Sequence, residues 1–462
     1  MITNKYKILF MFALSGFLVP FIGGAINLAL PIIGQEFGMN IVSLGWVATV
    51  FFLSTAVFLV PLGRLADILG RRKIFITGIT IFTLTSILCS CALSGAMLIF
   101  ARGVQGLGGA MIFGTSMAIL VSMFPPKERG RAIGMQVSGV YIGSSLGPVL
   151  GGLITQYLGW RYIFVLVTIL GTIIIGMSIK YLKDEWAHAN GESFDLKGSI
   201  AYALGVISIL YGSTMLPALS GFFVMGTGIL LFIIFCIMQE HTHHPVFDIK
   251  LLSKNRQFAM ANLAALLNFS AAFAVPFIMS LYLQYIRGLQ PNQAGLIMLV
   301  SAVTMAIGAP IAGRLSDHKD PRIIASIGMA LCAAALFTLN IILNMTTPFT
   351  LIVLLMFMFG SGMSLFGTPN THAAMEAVTP RHLGIASSLI STMRVFGQTL
   401  SMGISMLVLT LVVGKVKISY ATLVPLMKSA KIIFFVFGLL CIAGIFASLA
   451  RGKRNLKPEE KI

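Results

Sequence analysis

The sequence is poor in charge, and poorest in acidic residues. Only 10% of its 462 residues are charged, and 14 Asp and Glu residues stand against 32 Lys and Arg residues. A soluble domain of this length needs more charge than that on its surface. The scarcity therefore argues against a soluble enzyme and favours a chain that lies within a lipid bilayer.

Other absences narrow the class further. The five cysteines all fall within apolar runs, so no loop pair offers a disulfide, and we interpret them as small apolar side chains. The net charge of +18 is spread over short loops with no basic domain, so we expect no nucleic-acid partner. The stretch EHTHHP at 240–245 contains three histidines, but a solvated linker is favoured there over a metal site. We expect no metal and no cofactor.

Apolar runs of about twenty residues, the length that a bilayer span requires, recur along the whole chain. The first is too long for a signal peptide, so we interpret it as a retained helix. We count fourteen predicted transmembrane helices. Most Lys and Arg residues fall in alternate loops, which by the positive-inside rule predicts that both termini are cytoplasmic in a cell inner or plasma membrane. A polar tail begins at Arg451.

A charged motif is repeated once. GRLADILGRRK at 63–73 returns as GRLSD at 313–317, 250 residues later and eight predicted spans further on. Two six-helix halves would place the copies six spans apart, so two helices have been inserted between the halves. We predict an all-α membrane protein with a six-helix bundle at 1–182, a linker with the inserted pair at 183–256, and a six-helix bundle with its tail at 257–462.

The repeated motif forms a hairpin between two helices. We expect Gly63 to allow close helix approach and Asp67 to pair with a basic residue across the turn. One interpretation is a conformational latch between the halves; the other is a topology anchor whose basic residues lie at anionic lipid. The full motif and its echo favour the latch, formed by Gly63, Asp67, Gly70, Arg71 and Asp317.

The motif resembles the signature between helices 2 and 3 of the major facilitator superfamily. RGVQGLGGA at 102–110 is similar to that family's second motif, and the stretch from 143 to 152 is similar to the helix-5 motif of drug:proton exporters. With fourteen spans, the resemblance is to the 14-helix drug:proton antiporter branch. It implies a multidrug exporter-like protein, not an enzyme, with helix 5 packing at the interface of the halves through Gly143, Gly147, Pro148, Gly151 and Gly152. Spacing alone allows ordinary small-residue helix packing equally well.

Polar residues within the apolar runs are candidates for a substrate cavity or for coupling. Arg102 would cost about 2.5–3.5 kcal/mol at the centre of a bilayer, so we expect it to face the cavity rather than snorkel to the interface. Arg394 is a weaker candidate, and His372 is more simply explained as a solvated helix end. The full set is Asn27, Arg102, Gln105, Gln136, Tyr141, Asn268, Gln284, Asn370, His372 and Arg394.

One position departs from the family. Related exporters usually carry an aspartate in helix 1 where this chain has Ile22, and no acid lies deep in any predicted span. A buried carboxylate attracts cations and carries protons, so neutral, amphipathic or anionic substrates become more plausible. We expect a proton-coupled monomeric exporter of small amphipathic compounds, surrounded by membrane lipid. The alternative is a proton-independent facilitator or exchanger of a neutral or anionic metabolite. A membrane-embedded transferase and a signalling receptor are disfavoured.

Overall fold

The computed structural model describes residues 2–124, 126–187, 189, 191–215, 218–242, 245–246, 255–378, 383–414 and 416–452. Some side chains within these ranges, among them those of Tyr141 and Asp317, lie outside the described part. The described chain is all-helical. Its spans are α1 (Ile2–Glu36), α2 (Ile41–Leu69), α3 (Arg71–Ser90), α4 (Gly95–Met123), α5 (Pro126–Tyr157), α6 (Arg161–Tyr181), α7 (Leu196–Met215), α8 (Leu219–His241), α9 (Arg256–Ala272, Val275–Leu281 and a π-helical turn Tyr282–Ile286), α10 (Pro291–His318), α11 (Pro321–Ile342), α12 (Phe349–Glu376), α13 (Leu383–Val412) and α14 (Leu423–Leu449).

Twelve of these fourteen helices are long and apolar enough to cross a membrane, judged by length and composition over the described residues. The exceptions are α5 and α7; the apolar part of α7 is shorter, at Leu196–Gly212. Local sequence sets several helix starts. The side chains of Asn40, Ser94 and Asn255 accept hydrogen bonds from backbone amides three residues on, which satisfies amides that have no partner in the first turn.

The helices pack as two bundles and a separate pair. In the first bundle α1 packs on α5 and α6, while α4 packs on α2 and α3. In the second, α12 packs on α10 and α11, while α14 packs on α9 and α11. The inserted helices α7 and α8 pack on each other, and α7 also contacts α2 and α13. The insert thus lies beside the seam where the two bundles meet.

The molecule has two ends that differ in how the bundles meet. The hairpin end holds the α2–α3 turn at Gly70, and the far end holds the α1–α2 turn at 37–40. Hydrogen bonds join the bundles from the middle of the molecule to the far end. At the far end, Tyr285 donates to the carbonyl of Pro31 at 3.2 Å, and the amide of Ile41 donates to Val416 at 3.0 Å. The bundles therefore close against each other at the far end.

Candidate functional site

A cavity of about 210 Å³ lies between the two bundles. Its wall includes Asn370, Thr371 and Ile390, which are within two turns of the hairpin end of α12 and α13. The cavity therefore runs from the middle of the molecule toward the hairpin end. The wall draws on α1, α2, α4, α5, α9, α10, α12 and α13, so both bundles contribute.

The wall is mainly apolar, with many flexible or flat side chains. Met and Phe side chains suit a pocket that adapts to varied apolar ligands. The polar groups are few and come mostly from the second bundle. The apolar set contains Phe52, Phe113, Phe269, Phe273, Phe359, Phe366, Met279, Met298, Met305, Met356 and Met363; the polar set contains Asn27, Ser144, Ser301, Asn370, Thr371, Arg394 and Gln398.

Arg394 is the charged residue of the described wall. It lies on α13, and its guanidinium carbon is 5.1 Å from the ring centroid of Phe269 on α9. An arginine over an aromatic face is held by a cation–π contact. Gln398 follows one helical turn later and also lines the cavity. No carboxylate occurs among the described residues that line it.

Ile22, at the position of the family's aspartate, is fully buried in the apolar core of the first bundle. Its neighbour Gly23 lines the cavity, as does Asn27 one turn on. The cavity therefore lacks, at this wall, the acid that the family resemblance leads one to look for.

Arg102 and Gln105 lie elsewhere. Arg102 is fully buried, and it donates through Nε to the carbonyl of Val47 at 3.1 Å and through Nη1 to Gln105 at 2.5 Å. Its guanidinium stacks 4.4 Å from the ring centroid of Phe51. Gln105 donates in turn to Ser86 Oγ at 2.7 Å. This network joins α2, α3 and α4 within the first bundle, so Arg102 neither faces the cavity nor snorkels to an interface.

The other predicted cavity residues are dispersed. Gln284 donates to the carbonyl of Leu28 at 3.2 Å, which places it in the contact that joins the bundles toward the far end. At the hairpin end of α12, His372 Nε2 lies 3.6 Å from Glu376 Oε1. Gln136 and Asn268 are buried but do not line the cavity. The Tyr141 side chain lies outside the described part, as do His243 and His244.

The α2–α3 hairpin is held within the first bundle. Asp67 Oδ1 accepts from Arg71 Nε at 2.7 Å, and Arg71 also reaches the carbonyl of Ala118 and Ser122 Oγ on α4. Gly70 has φ +112°, a conformation that suits glycine. A Cβ on Gly63 would meet no atom within 4 Å, but a Cβ on Gly114 of α4 would lie 3.4 Å from the Cα of Gly63. The two helices therefore pass close to each other at Gly63, and its part in a latch stays a prediction.

The described residues of the segment after α6 (182–187, 189, 191 and 192) lie against this hairpin; we call them the strap. The amide of Arg71 donates to the carbonyl of Trp186 at 3.0 Å, and the amide of Ala189 donates to the carbonyl of Asp67 at 2.9 Å. The Glu185 carboxylate accepts from the amide of Arg72 at 2.8 Å. The sequence predicts only a linker here. The signal that could have indicated these contacts is the presence of carboxylates, Glu185 and Glu192, in a segment that lies opposite a basic hairpin.

The helix-5 glycines divide between two partners. A Cβ on Gly143, Gly147 or Gly151 would lie 2.9 Å or less from the backbone of α1. A Cβ on Gly152 would lie 2.6 Å from the carbonyl oxygen of Pro291, on α10 of the other bundle. A Cβ on Gly295 of α10 would lie 2.8 Å from the carbonyl oxygen of Pro148. One face of α5 is thus packed within its own bundle, and the next face is packed across the interface.

The sequence profile of the Major Facilitator Superfamily matches residues 12–402 and, separately, 258–461. The chain belongs to this superfamily. As a superfamily member it is a transporter, and it resembles the riboflavin transporter RibZ of Clostridioides difficile (29% identity over 396 residues, 85% of each chain). It also resembles the multidrug resistance protein Stp of Mycobacterium tuberculosis (31% identity, 82% of this chain and 71% of that one).

The fold also resembles those of solved transporters. One is a bacterial homolog of the human lysosomal transporter Spinster in an inward-facing and unoccupied conformation (TM-score 0.68, 15% identity, 97% of each chain). Another is the human organic anion transporter MFSD10 (TM-score 0.62, 13% identity, 96% of this chain and 98% of that one). At these identities the likeness bears on the fold alone.

Proposed function

We propose that this superfamily member is a secondary active exporter that moves small amphipathic compounds, drug-like or toxic, in exchange for protons. The observation that carries the proposal is the apolar cavity between the bundles, which is closed at the far end and extends toward the hairpin end. A site between two such halves suits alternating access by rocking. The likeness to a multidrug resistance protein supports this substrate class.

The orientation follows from the positive-inside rule. Placing the hairpin end in the cytoplasm makes this conformation inward-facing, in an inner or plasma membrane with both termini cytoplasmic. Release on the other side then requires the far-end contacts to separate. Those contacts include the hydrogen bonds from Ser280 to Asn27, from Gln284 to Leu28 and from Tyr285 to Pro31. The proposal treats the transporter as a monomer.

Two ion-pair contacts at the hairpin end contain side chains that could bind a proton in this proposal. Asp67 is about one-third exposed and pairs with Arg71. His372 lies 3.6 Å from Glu376, so a protonated His372 would form an ion pair with it. Proton binding at either place changes the charge of a contact at the cytoplasmic rim. In our proposal this change alters the balance between the two conformations.

A proton-independent facilitator or exchanger of a neutral or anionic metabolite is the second candidate. It is favoured by the absence of a carboxylate from the described cavity wall. The resemblance to a riboflavin transporter, whose named substrate is not a permanent cation, points the same way.

Flux in proteoliposomes separates the two candidates. Riboflavin and a neutral amphipathic dye are loaded, and efflux is followed with and without an imposed pH gradient. Antiport predicts that the gradient drives net movement and that a proton ionophore abolishes it. Flux that is indifferent to the gradient overturns antiport in favour of the second candidate. Liposomes without protein give the background rate of efflux. If neither riboflavin nor the dye leaves faster than this background, both candidates are contradicted.

A further inference from the structure

The charge of the central cavity is one-sided. Arg394 contributes a cation, and the described wall contains no acid. The described acids at the hairpin end are at the ends of helices and in the strap, where Asp67, Glu192 and Asp320 pair with Arg71, Arg64 and Arg322. A ligand in the cavity therefore meets an uneven field, positive on the wall formed by α13.

Arg394 is placed to bind an anion in a defined orientation. Its planar guanidinium has a fork of donors that matches the two oxygens of a carboxylate or the oxygens of a phosphate. The contact with Phe269, at 5.1 Å from guanidinium carbon to ring centroid, restricts that plane. Gln398, one turn further along α13, adds a neutral amide that can donate to the same ligand.

The remaining wall suits a flat apolar body. Phe52 of the first bundle and Phe273 of the second stand edge to face, with ring centroids 4.4 Å apart. Phe269, Phe359 and Phe366 line the cavity with five methionines. Aromatic rings offer faces and edges to another ring, and methionines fill the space around it. The α1 wall opposite includes Val19, Pro20 and Gly23.

We infer that Arg394 and Phe269 form an anion subsite in the cavity and that the transported class is planar aromatic organic anions. The inference rests on the proposed transport function and narrows its substrate. An aromatic body lies among the phenylalanines while its acidic group accepts from Arg394. A permanent cation meets Arg394 as a like charge, and no carboxylate occurs among the described lining residues to attract it, so it binds more weakly.

Matched dyes test this inference directly. The methyl esters of fluorescein and of rhodamine share a tricyclic ring system but carry one negative and one positive charge at mildly alkaline pH. Binding to the purified full-length protein is measured by fluorescence anisotropy. The anionic dye should bind about tenfold more tightly or better, the range expected for a hydrogen bond to a charged group. Equal binding, or tighter binding of the cationic dye, overturns the inference.

Variants assign the preference to Arg394. Arg394→Gln should remove it by weakening the anionic dye about tenfold while leaving the cationic dye unchanged or tighter. Arg394→Lys keeps the charge but loses the planar fork, so it should retain part of the preference. Arg314→Gln is the matched control, because Arg314 is exposed and does not line the cavity. A preference that survives Arg394→Gln, or that Arg314→Gln also removes, contradicts the subsite.

Transport of the same dyes separates this inference from the proposed function. If both dyes are carried equally and Arg394→Gln slows both equally, the anion subsite is wrong and transport of amphipathic compounds stands. If the anionic dye binds through Arg394 but no compound crosses, the subsite stands and the proposed function is wrong. Thermal unfolding of each variant checks folding, and recovery of anion binding in Arg394→Lys shows that the effect is not a packing defect.

Discussion

The two copies of the repeated hairpin contact different parts of the molecule. In the first bundle the hairpin is crossed by the strap, which continues into the inserted helices. The ion pair between Arg64 and Glu192 adds to the backbone contacts there. In the second bundle the α10–α11 turn has Asp320 as the cap of α11, paired with Arg322 at 2.7 Å. The residue that packs beneath it is Arg451, just after α14.

Arg451 connects the second hairpin to the cavity. It is 5% exposed and donates to Asn370, a residue of the cavity wall. Because α6 and α14 are corresponding helices, both bundles place the segment after their sixth helix against their hairpin. In the first bundle, the strap connects the hairpin to the inserted helices through carboxylates and backbone groups. In the second bundle, the buried cation Arg451 connects the hairpin to the wall of the central cavity. Duplication kept the motif and changed its connections.

The turns themselves give the largest expected difference. Gly70→Ala places a Cβ on a residue with φ +112° and 2.4 Å from the Glu185 side chain. We expect the variant to lose about 1–3 kcal/mol of stability. Lys319→Ala is the matched change in the second hairpin. Because Lys319 has φ −122°, this substitution should lower stability by less than about 0.5 kcal/mol. Thermal unfolding in detergent measures both, and comparable losses would mean that the two turns are not distinguished by backbone strain.

The acids of the two hairpins should differ in their effect on transport. Asp67→Asn weakens the pair with Arg71, and we expect exchange to slow about tenfold, a shift of about 1.4 kcal/mol in the conformational barrier or balance. Asp320→Asn keeps a side chain that caps α11 well, so its effect should be small. Flux is measured beside dye binding. Loss of binding in a folded Asp67→Asn protein would contradict the latch.

Some of this difference could be predicted from sequence and some could not. The repeat and the apolar runs identified the helices and hairpins, because bilayer length and a charged turn leave a strong linear pattern. Arg102 and Arg394 were harder to assign. Both are arginines within apolar spans, and the direction each faces depends on how its helix is rotated against neighbours. Arg102 turned inward to Val47 and Gln105, whereas Arg394 lines the cavity.

The burial of Arg451 could not be predicted from the sequence, for a related reason. It begins the polar tail, whose composition does not indicate a buried residue, yet its side chain is buried next to the second hairpin. Composition describes a segment on average, and a residue two positions beyond a helix still packs with that helix against the bundle. The strap was missed for two reasons: two of its contacts are made by backbone groups, which leave no sequence signature, and its carboxylates, the available signal, are equally typical of a solvated linker.

Replacing Arg451 should raise the stability of the protein, whereas the other hairpin substitutions are expected to lower it. Burial lowers its pKa to about 10, with the nearby Asp320 charge opposing that shift, so the folded state disfavours the charge. Arg451→Gln keeps a donor for Asn370, and we expect it to raise stability by about 1 kcal/mol. At neutral pH the group is protonated in both states and adds no pH dependence. Above pH about 10 the unfolded chain binds more protons, so wild-type stability gains from this group as pH rises.

Chemical unfolding of Arg451→Gln and of the wild type shows whether the substitution raises or lowers the free energy of unfolding. A loss of stability would mean that the cation itself supports the second hairpin. Arg64→Gln is the corresponding change in the first bundle, where the partner Glu192 is about one-third exposed. There we expect a loss of less than about 1 kcal/mol, as for other exposed pairs.

The smallest expected effect is at the strap, and it tests whether the first hairpin depends on the insert. Glu192→Gln removes the charge opposite Arg64 but leaves the backbone bonds from Arg71 to Trp186 and from Ala189 to Asp67. We expect a stability change within about 0.5 kcal/mol at ordinary salt, because exposed pairs are screened. Hydrogen exchange is the more sensitive measurement: the Ala189 amide should lose some protection while amides in α11 do not change. Equal changes in the two bundles would mean that their hairpins are coupled after all, rather than tied separately to the insert and to the cavity.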